Sequence, residues 1–429
     1  MIELLQQVRV IDPVSETDEI FDVLIADGYI QAVASRISDI SSDTQIRDCR
    51  GLVLGSGLVD LYSHSGEPGF EERETLVSLL QAAAAGGFTR VSLLPDTSPA
   101  IDNPALVAQL YKRRAEESLH SYSPLLSRSP APLLHIWGAI TLDVAGKQMT
   151  ELADLASAGV VGFTDGKPLE NLALVQRVLE YLQPLEKPVA FWPCDRQLAA
   201  NGVIREGAQA LRLGLPPVPA SAETSAIAAL IELVAAIGTP VHIMRVSTAR
   251  SVELIATAKA AGLPITASTT WMHLLLDTKA IKSYNSSLHL DPPLGNASDV
   301  AALRAGVRGG VIDAIAIDHA PYTYEEKVQA FAEAPAGAIG FELALPLLWQ
   351  YLVETGEFTA LELWRALSSN PAKCLGQKIN AIRPHQSAEL TLFDPQQTWK
   401  VERKNLHTLS QNTPWLGQQL QGRVVQTWY

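Results

Sequence analysis

The sequence has only three cysteines, Cys49, Cys194 and Cys374, among its 429 residues. They lie far apart and show no C-x-x-C spacing, which argues against a disulfide framework and a structural zinc finger. Long apolar runs are also absent. The most apolar stretch, residues 227–237, is interrupted by Glu232 and is too short to span a bilayer. We therefore expect a protein of a reducing compartment that has no membrane partner.

Clusters of lysine and arginine are missing as well, and the formal net charge is −13. Nucleic acids and anionic membrane surfaces repel a chain of this charge. The first residues of the sequence lack the basic and apolar regions of a signal peptide. These absences predict a cytoplasmic protein that binds no nucleic acid. A hydrophobic content of 47% is enough for a large core.

An incomplete metal motif follows an early apolar run, where the sequence reads Asp60-Leu61-Tyr62-Ser63-His64. A strand that ends in D-x-H-x-H can hold zinc on two imidazoles, because side chains two residues apart face the same side. Tyr62 stands at the first imidazole position, and only His64 remains. This substitution makes it an open question whether the chain catalyses a reaction at all.

Apolar segments of strand length alternate with helical patterns through the middle of the chain, which is typical of parallel βα units. The predicted strands of this part are residues 58–62, 90–94, 133–140, 160–164, 189–192, 241–246, 265–269 and 314–317. The predicted helices are residues 71–86, 105–117, 170–182, 223–236 and 248–261, with extra helices near 340–355 and 360–368. Both chain ends contain short strand patterns instead, at residues 7–11, 21–25, 29–33, 388–393 and 423–428.

The alternation predicts an α/β protein with eight βα units closed into a TIM-like (β/α)8 barrel. We place the barrel and its extra C-terminal helices at residues 56–384. Residues 1–55 and 385–429 together are expected to form a small, β-rich composite side domain.

Polar residues stand at or just after the ends of the predicted strands. They are Asp60, His64, Asp96, Asp165, Asp195, Arg245, Ser247, Ser268, Thr270 and Asp318. In barrel enzymes the active site is built from such positions. The alternative is that some of them cap the helices that follow, as we expect of Asp195 and Ser247.

With these residues the chain resembles the dihydroorotases of the amidohydrolase superfamily over nearly its whole length. The segments that carry the resemblance are residues 60–69, 94–97, 101–103, 163–166, 242–248, 291–294, 318–322, 325–327, 388–394 and 412–414. The resemblance implies an amidohydrolase-type barrel. It also implies a role in pyrimidine biosynthesis, where dihydroorotases interconvert dihydroorotate and N-carbamoyl-aspartate.

In dihydroorotases two metal ions at the barrel mouth polarise the amide carbonyl and supply a hydroxide, while an aspartate after strand eight moves the proton. By the resemblance, the residual ligand positions of this chain are His64, Asp165 and Asp318, and Asp318 is also the proton-shuttle position. The lost ligand positions are Tyr62, Trp192 and Arg245. A tryptophan N–H only donates hydrogen bonds, a neutral tyrosine is a poor ligand, and an arginine is a cation. We therefore expect no metal cofactor.

The resemblance also assigns four substrate-pocket positions, Gly66, Asp96, Asp291 and Tyr322. Gly66 stands where dihydroorotases have an arginine, and Asp96 stands where they have an asparagine; both of those residues hold the substrate carboxylate. Two further positions differ, because Gly295 replaces an arginine and Tyr322 replaces a histidine. The lost guanidinium and the added carboxylate predict repulsion of dihydroorotate.

Arg245 leads to a specific hypothesis. Several carboxylates that face one cavity without a cation destabilise one another. We expect the Arg245 guanidinium to replace the lost metals electrostatically by pairing with Asp165, Asp318 or Asp96, while Trp192 fills the vacated volume. The alternative is that Arg245 points to solvent.

The sequence thus favours a dihydroorotase-like protein that has lost its chemistry. Some dihydroorotase homologues that lack zinc ligands are structural partners of aspartate transcarbamoylase, and the resemblance implies that role and a homo-oligomer here. Two alternatives stay open. One is a metal-dependent cyclic-amide hydrolase with an atypical zinc site, or a mononuclear one on His64, Asp165 and Asp318. The other is a metal-free small-molecule sensor in which Arg245 accepts an anion.

Overall fold

The computed structural model describes residues 2–120 and 131–429, and the side chains of residues 2–116 and 131–429. The strands of these residues, β1 to β17 in chain order, are Ile2–Asp12, Thr17–Ala26, Tyr29–Ala34, Gln45–Asp48, Val53–Ser56, Leu58–Val59, Phe88–Leu93, Leu133–Gly138, Gly162–Phe163, Ala190–Phe191, Ile204–Arg205, Pro217–Val218, Val241–Ile243, Ile265–Thr270, Ala314–Ala316, Leu390–Lys400 and Gln419–Trp428.

The α-helices of the same residues, α1 to α14 in chain order, are Leu76–Ala85, Pro104–His120, Leu152–Ser157, Leu172–Leu182, Arg196–Ala199, Ala208–Leu213, Ser221–Ile237, Ala249–Ala260, Trp271–Leu275, Ala297–Arg308, Tyr324–Lys327, Phe341–Leu348, Ala360–Leu367 and Ser369–Cys374. No helix among these is both long and apolar enough to cross a membrane.

Eight strands form a closed parallel barrel. Two ladders, β6-β7-β8-β9 and β10-β13-β14-β15, each contain four strands. A parallel bridge between Phe163 and Val189 joins β9 to the segment that leads into β10. Past β15 and β6 the ring closes, because the Asp318 N–H donates to the Tyr62 carbonyl at 3.2 Å and the His64 N–H donates to the His319 carbonyl at 2.8 Å. The closure confirms the predicted (β/α)8 barrel, whose functional face lies at the carboxyl ends of the strands.

Both ends of the chain share a second sheet. It contains seven strands in the order β17-β16-β5-β1-β2-β3, and β4 pairs with β1. Strand β5 lies between the two ends of the chain, since it pairs in parallel with β1 and antiparallel with β16. One face buries a core of its own, which includes Leu5, Val8, Leu54 and Leu392.

The C-terminal helices attach this sheet to the barrel. The Trp364 indole N–H in α13 donates to the Ser56 carbonyl at 2.8 Å, and the Ser368 hydroxyl donates to the Gly57 carbonyl at 2.7 Å. Trp364 and Ser368 are fully buried. These bonds satisfy backbone groups at the point where the chain leaves β5 and enters the first barrel strand, β6.

The two predicted helix caps have different outcomes. Asp195 caps α5, because its carboxylate accepts from the N–H groups of Gln197 and Leu198. Ser247 does not cap α8, and that expectation was wrong. Its hydroxyl hydrogen-bonds to Glu223, and the cap of α8 is the next residue, Thr248.

Candidate functional site

A cavity of about 280 Å³ opens at the carboxyl ends of the barrel strands. Among its lining residues, His64 follows β6, Asp96 follows β7, Trp192 follows β10, Arg245 follows β13 and Asp318 follows β15. Residues that are far apart in the sequence therefore meet at the face where barrel enzymes place their chemistry.

The Arg245 guanidinium lies at the centre of this cavity wall. Its Nε and Nη2 atoms donate to the two Asp318 carboxylate oxygens at 2.9 and 2.6 Å. Its Nη1 donates to the Gly166 carbonyl at 3.0 Å. Only 4% of the arginine is exposed. A bidentate pair between a guanidinium and a carboxylate is among the strongest ion-pair geometries in proteins. Of the three carboxylates expected as partners of Arg245, the structure selects Asp318.

His64 connects this ion pair to a second carboxylate. Its Nδ1 lies 2.9 and 3.1 Å from the two oxygens of Asp96, and its Nε2 lies 3.0 Å from Nη2 of Arg245. A guanidinium only donates hydrogen bonds, so the Nε2 of His64 is the acceptor. Burial lowers the pKa of His64, but the Asp96 and Asp318 carboxylates outweigh burial and raise it to about 9. A protonated ring would nevertheless set an N–H of Nε2 against the N–H of Arg245, so the geometry assigns the neutral tautomer with its proton on Nδ1, donated to Asp96. The lone pair with which a histidine would bind a metal is directed at Arg245.

Aromatic rings occupy the other two lost ligand positions. The Trp192 ring lies 4.5 Å from the Arg245 guanidinium carbon, and the Tyr62 ring lies 5.8 Å from it. The Tyr62 hydroxyl accepts from the Arg245 backbone N–H at 3.1 Å and shares a hydrogen bond of 2.9 Å with Ser268. Both aromatic side chains therefore contact the arginine and position it, and neither is arranged to bind a metal ion.

Asp165 lies apart from this group. Its carboxylate accepts from the backbone N–H groups of Ile140 and Thr141 at 2.8 and 2.9 Å, and from the Thr141 hydroxyl at 2.6 Å. The residues that line the cavity include its neighbours Gly166 and Lys167, but not Asp165 itself. The carboxylate thus orders the loop after β8 instead of facing the mouth.

Charge pairing shifts the acidity of the central pair. Burial by itself raises the pKa of Asp318, but the adjacent Arg245 guanidinium outweighs burial and holds that pKa well below its usual range. The same contact raises the pKa of Arg245 against the effect of burial. Both groups are therefore charged throughout the physiological range.

The residues present do not fit zinc. A zinc site needs three or four donors. Of the three residual ligand positions, only His64 and Asp318 line the cavity, and each is already bound to Arg245. In residues 2–120 and 131–429 no group of three or more His, Cys, Asp or Glu side chains is arranged to hold a metal ion. A guanidinium about 4 Å from a divalent ion would add roughly 8 kcal/mol of repulsion at an effective dielectric constant of about 20.

Two of the positions that differ from the dihydroorotase pattern, Gly66 and Gly295, are closely packed by backbone and side-chain atoms. A Cβ atom on Gly66 would overlap the carbonyl oxygen of Phe70 and would lie 2.5 Å from that of Glu74. A Cβ atom on Gly295 would lie 2.6 Å from Cβ of Asp299. Neither position has room for an arginine, because real Cβ contacts at these distances are essentially absent.

The remaining two pocket positions take part in contacts with neighbouring cations. Asp291 pairs with Arg196 at 2.9 Å. The Tyr322 ring lies 5.0 Å from the Arg73 guanidinium carbon and 5.4 Å from the Lys327 ammonium. Sequence reasoning missed Arg196, whose guanidinium also lies over Trp192 at 4.8 Å. Its place directly after the strand-end residue Asp195 was the available signal.

Comparisons with known proteins agree with this architecture. A sequence profile of the Amidohydrolase family matches residues 215–429, and a profile described as Dihydro-orotase-like matches residues 51–251. A Synechocystis protein named "Probable dihydroorotase-like protein" is 46% identical, with 98% of this chain and 98% of that protein covered. The dihydroorotase of Syntrophus aciditrophicus is 37% identical, with 99% of this chain and 97% of that protein covered.

Solved structures share the same fold at lower identity. The L-hydantoinase (dihydropyrimidinase) from Arthrobacter aurescens has a TM-score of 0.82 at 20% identity, covering 99% of this chain and 94% of its own. The dihydropyrimidinase from Brevibacillus agri has a TM-score of 0.79, also at 20% identity, covering 99% of this chain and 93% of its own. The solved structures show the fold alone, whereas the sequence relatives also show the family. The chain belongs to the amidohydrolase family as a dihydroorotase-like member.

Proposed function

We propose that this dihydroorotase-like protein does not hydrolyse cyclic amides through a metal and acts in pyrimidine biosynthesis as a structural partner of aspartate transcarbamoylase. The observation that carries the first half is the position of Arg245. Its guanidinium takes both oxygens of Asp318 and the Nε2 lone pair of His64.

The same contacts argue against a proton-transfer role for Asp318. A general base needs a free lone pair and a pKa near the working pH. Here both carboxylate oxygens accept hydrogen bonds from Arg245, and the guanidinium lowers the pKa of Asp318. A carboxylate in this state is a weak proton acceptor.

Recognition of dihydroorotate is disfavoured as well. Gly66 and Gly295 offer no guanidinium for the substrate carboxylate, and the packing around both leaves no room for one. Asp96 instead presents a carboxylate at the cavity, where it would face the carboxylate of the substrate. Two carboxylates in one partly buried cavity repel each other unless a proton or cation lies between them.

The partner role rests on a physical distinction between pocket and surface. A fold can retain a docking surface while its pocket changes, since the two use different residues. Of the changed positions, Asp96, Trp192, Arg245 and Tyr322 line the barrel mouth, and the relatives that cover nearly the whole chain carry dihydroorotase names.

The first test measures metal content and turnover on the wild-type chain. Protein purified with zinc present and then exhaustively desalted is expected to hold less than about a tenth of an ion per chain. It is also expected to show no dihydroorotate hydrolysis above background. One or more ions per chain together with turnover would support the alternative, a hydrolase with an atypical zinc site, and would overturn the proposal.

The second test addresses the partner. The chain is mixed at micromolar concentration with the aspartate transcarbamoylase of the same organism and analysed by size-exclusion chromatography with light scattering. We expect a complex that contains both proteins, and an active dihydroorotase from a relative serves as the control mixture. Separate elution at this concentration would count against the partner role and leave the metal result unaffected.

A further inference from the structure

We propose that the barrel mouth is a guanidinium-binding site and that the Arg245 side chain is a ligand supplied by the chain itself. The inference rests on the proposed function in one respect, since both require a mouth without metal. It adds a statement about selectivity: the site accepts a planar cation and does not accept a divalent metal ion.

The acceptors match the donors of a guanidinium. Both Asp318 oxygens, the Gly166 carbonyl and Nε2 of His64 accept N–H groups of Arg245 at 2.6 to 3.0 Å. A guanidinium carries five N–H donors in one plane, whereas zinc needs lone pairs arranged as a tetrahedron. Three different acceptor groups arranged around one planar cation are what a guanidinium site requires.

Asp96 fixes the form of His64 that this site needs. Its carboxylate accepts the Nδ1 proton of His64 at 2.9 Å, which leaves Nε2 as the acceptor that faces Arg245. A hydrogen bond to one ring nitrogen decides which tautomer a histidine adopts. Asparagine at this position can donate as well as accept, so it would fix the tautomer less strictly. Asp96 is therefore a positioning residue that acts through His64.

The walls of the site suit a flat, weakly hydrated cation. Trp192 and Tyr62 present rings 4.5 and 5.8 Å from the guanidinium carbon, and both rings are buried. Aromatic faces attract a desolvated guanidinium through their quadrupole, while they offer no lone pair to a metal ion. The walls therefore contribute to the same selectivity as the acceptors.

The backbone at Arg245 adds an independent observation. The residue has φ of 55°, in the left-handed region that non-glycine residues avoid. Its N–H is held by the Tyr62 hydroxyl at 3.1 Å. Strained conformations persist where the surroundings over-determine them. In this conformation the chain turns away from the direction of β13, and the Arg245 side chain extends across the mouth to Asp318.

A site of this kind should accept a free ligand when the tethered one is removed. In Arg245→Ala the four acceptors and both rings stay in place, and a vacant slot of guanidinium shape is left. We expect the melting temperature to fall by about 5–10 °C, because a buried carboxylate loses its partner. About 20 mM guanidinium chloride, far below concentrations that unfold proteins, should restore at least half of that fall.

The controls separate a specific site from a general salt effect. Equal concentrations of sodium chloride and urea should restore nothing. Zinc chloride should restore less than guanidinium, since His64 and Asp318 are the only residual ligand positions that line the mouth and the Asp96 carboxylate is bound to His64. Arg304→Ala is the matched variant, because Arg304 pairs with Glu357 at 2.6 Å on a partly exposed helix face. Guanidinium should leave its melting temperature unchanged.

A second measurement uses the wild-type chain and does not depend on the folding of a variant. Nitrogen-15 NMR of His64 at pH 7 should show a protonated Nδ1 and an unprotonated Nε2. A doubly protonated ring would overturn the proposal. So would an Arg245→Ala variant as stable as the wild type, or one rescued equally by urea or better by zinc. All these outcomes are distinct from the metal content of the wild-type chain, which tests the proposed function.

Discussion

Arginine at position 245 brings two things that a histidine there does not, a permanent positive charge and a planar set of donors. The charge neutralises Asp318, and the donors use the lone pair of His64. The sequence was sufficient to predict that Arg245 pairs with one of three carboxylates. It could not predict which one, because that depends on the left-handed backbone at Arg245 and on a loop that engages Asp165.

Restoring the lost ligands should restore metal binding without restoring activity. The triple variant Tyr62→His, Trp192→His, Arg245→His is expected to bind about one or more zinc ions per chain, because it regains three imidazoles beside His64 and Asp318. It should not hydrolyse dihydroorotate, since Gly66 and Gly295 still lack room for a guanidinium. Elemental analysis and a turnover assay on the same preparation check both halves. Turnover in this variant would show that those two positions are dispensable.

His242 should make stability depend on pH. It is buried, and its ring nitrogens lie 2.9 and 2.8 Å from the hydroxyls of Thr266 and Ser268. Burial lowers the pKa of His242 to about 3. The unfolded chain therefore takes up this proton near pH 6.5, before the folded chain does. The contribution to stability is present above about pH 6.5 and is lost as the pH falls toward 3, at up to about 1.4 kcal/mol per pH unit.

The measurement is chemical unfolding at several pH values between 7 and 4. Wild type and His242→Gln are compared, because glutamine keeps a donor and an acceptor but does not titrate. The free energy of unfolding of the variant should fall less steeply with decreasing pH. Parallel curves would mean that the pKa of His242 is the same in the folded and the unfolded chain.

The barrel strands are shorter than their apolar patterns. The fifth and sixth predicted strands extended to residues 192 and 246, whereas β10 ends at Phe191 and β13 ends at Ile243. Apolar residues continue past the strand ends because the chain stays buried where it turns into the mouth, as it does at Trp192 and Met244. Hydrophobicity reports burial, and hydrogen-bond pairing is a separate property that tertiary geometry decides.

Helix α10 shows the opposite case, an element that the sequence analysis omitted although its start is encoded locally. Asn296 and Asp299 form a capping box, and Asp299 also accepts from the Ala249 N–H at 2.8 Å. One carboxylate therefore serves the starts of both α8 and α10. The capping pattern, polar residues three apart before an apolar run, was a readable signal.

Loss of this shared cap should be costlier than loss of an ordinary one. Asp299→Ala leaves two backbone N–H groups without acceptors in a buried place, and we expect it to lower the free energy of unfolding by about 2–3 kcal/mol. Glu362→Ala is the matched control and should cost about 0.5–1 kcal/mol, since Glu362 serves the exposed capping box of one helix, α13, and its one further contact is a long ion pair of 3.9 Å with Arg308. Urea titrations of both variants give the comparison, and equal costs would contradict the shared role.

The molecule as a whole combines a closed barrel with a sheet drawn from both chain ends. Strand patterns at the termini predicted five of the seven strands of that sheet and missed β4 and β5, and no pattern in the sequence gives the order of the strands. Strand β5 pairs with β16 in the register Leu54 to Leu392 and Ser56 to Leu390. Pairings between such distant segments follow from the position of the barrel between them, which brings residues 56 and 390 to one side.

Truncation should expose this dependence. A chain that ends at residue 387 lacks β16 and β17, so the edge of β5 and the buried Leu54 side chain lose their cover. Unpaired apolar edges promote association between chains. We expect most of the truncated protein in the insoluble fraction, while the full chain stays soluble under the same expression conditions. A soluble, monomeric truncated chain in size-exclusion chromatography would show that the barrel suffices.

The sheet that contains β5 and β16 also constrains the order of folding during translation. Strands β1 to β5 are translated before the barrel, yet β5 acquires its partner β16 only after the whole barrel has been translated. Throughout the synthesis of the barrel, β5 therefore has an open edge. Chaperone contact during translation should concentrate on these early strands, and the pairing of β16, more than any step within the barrel, completes the fold.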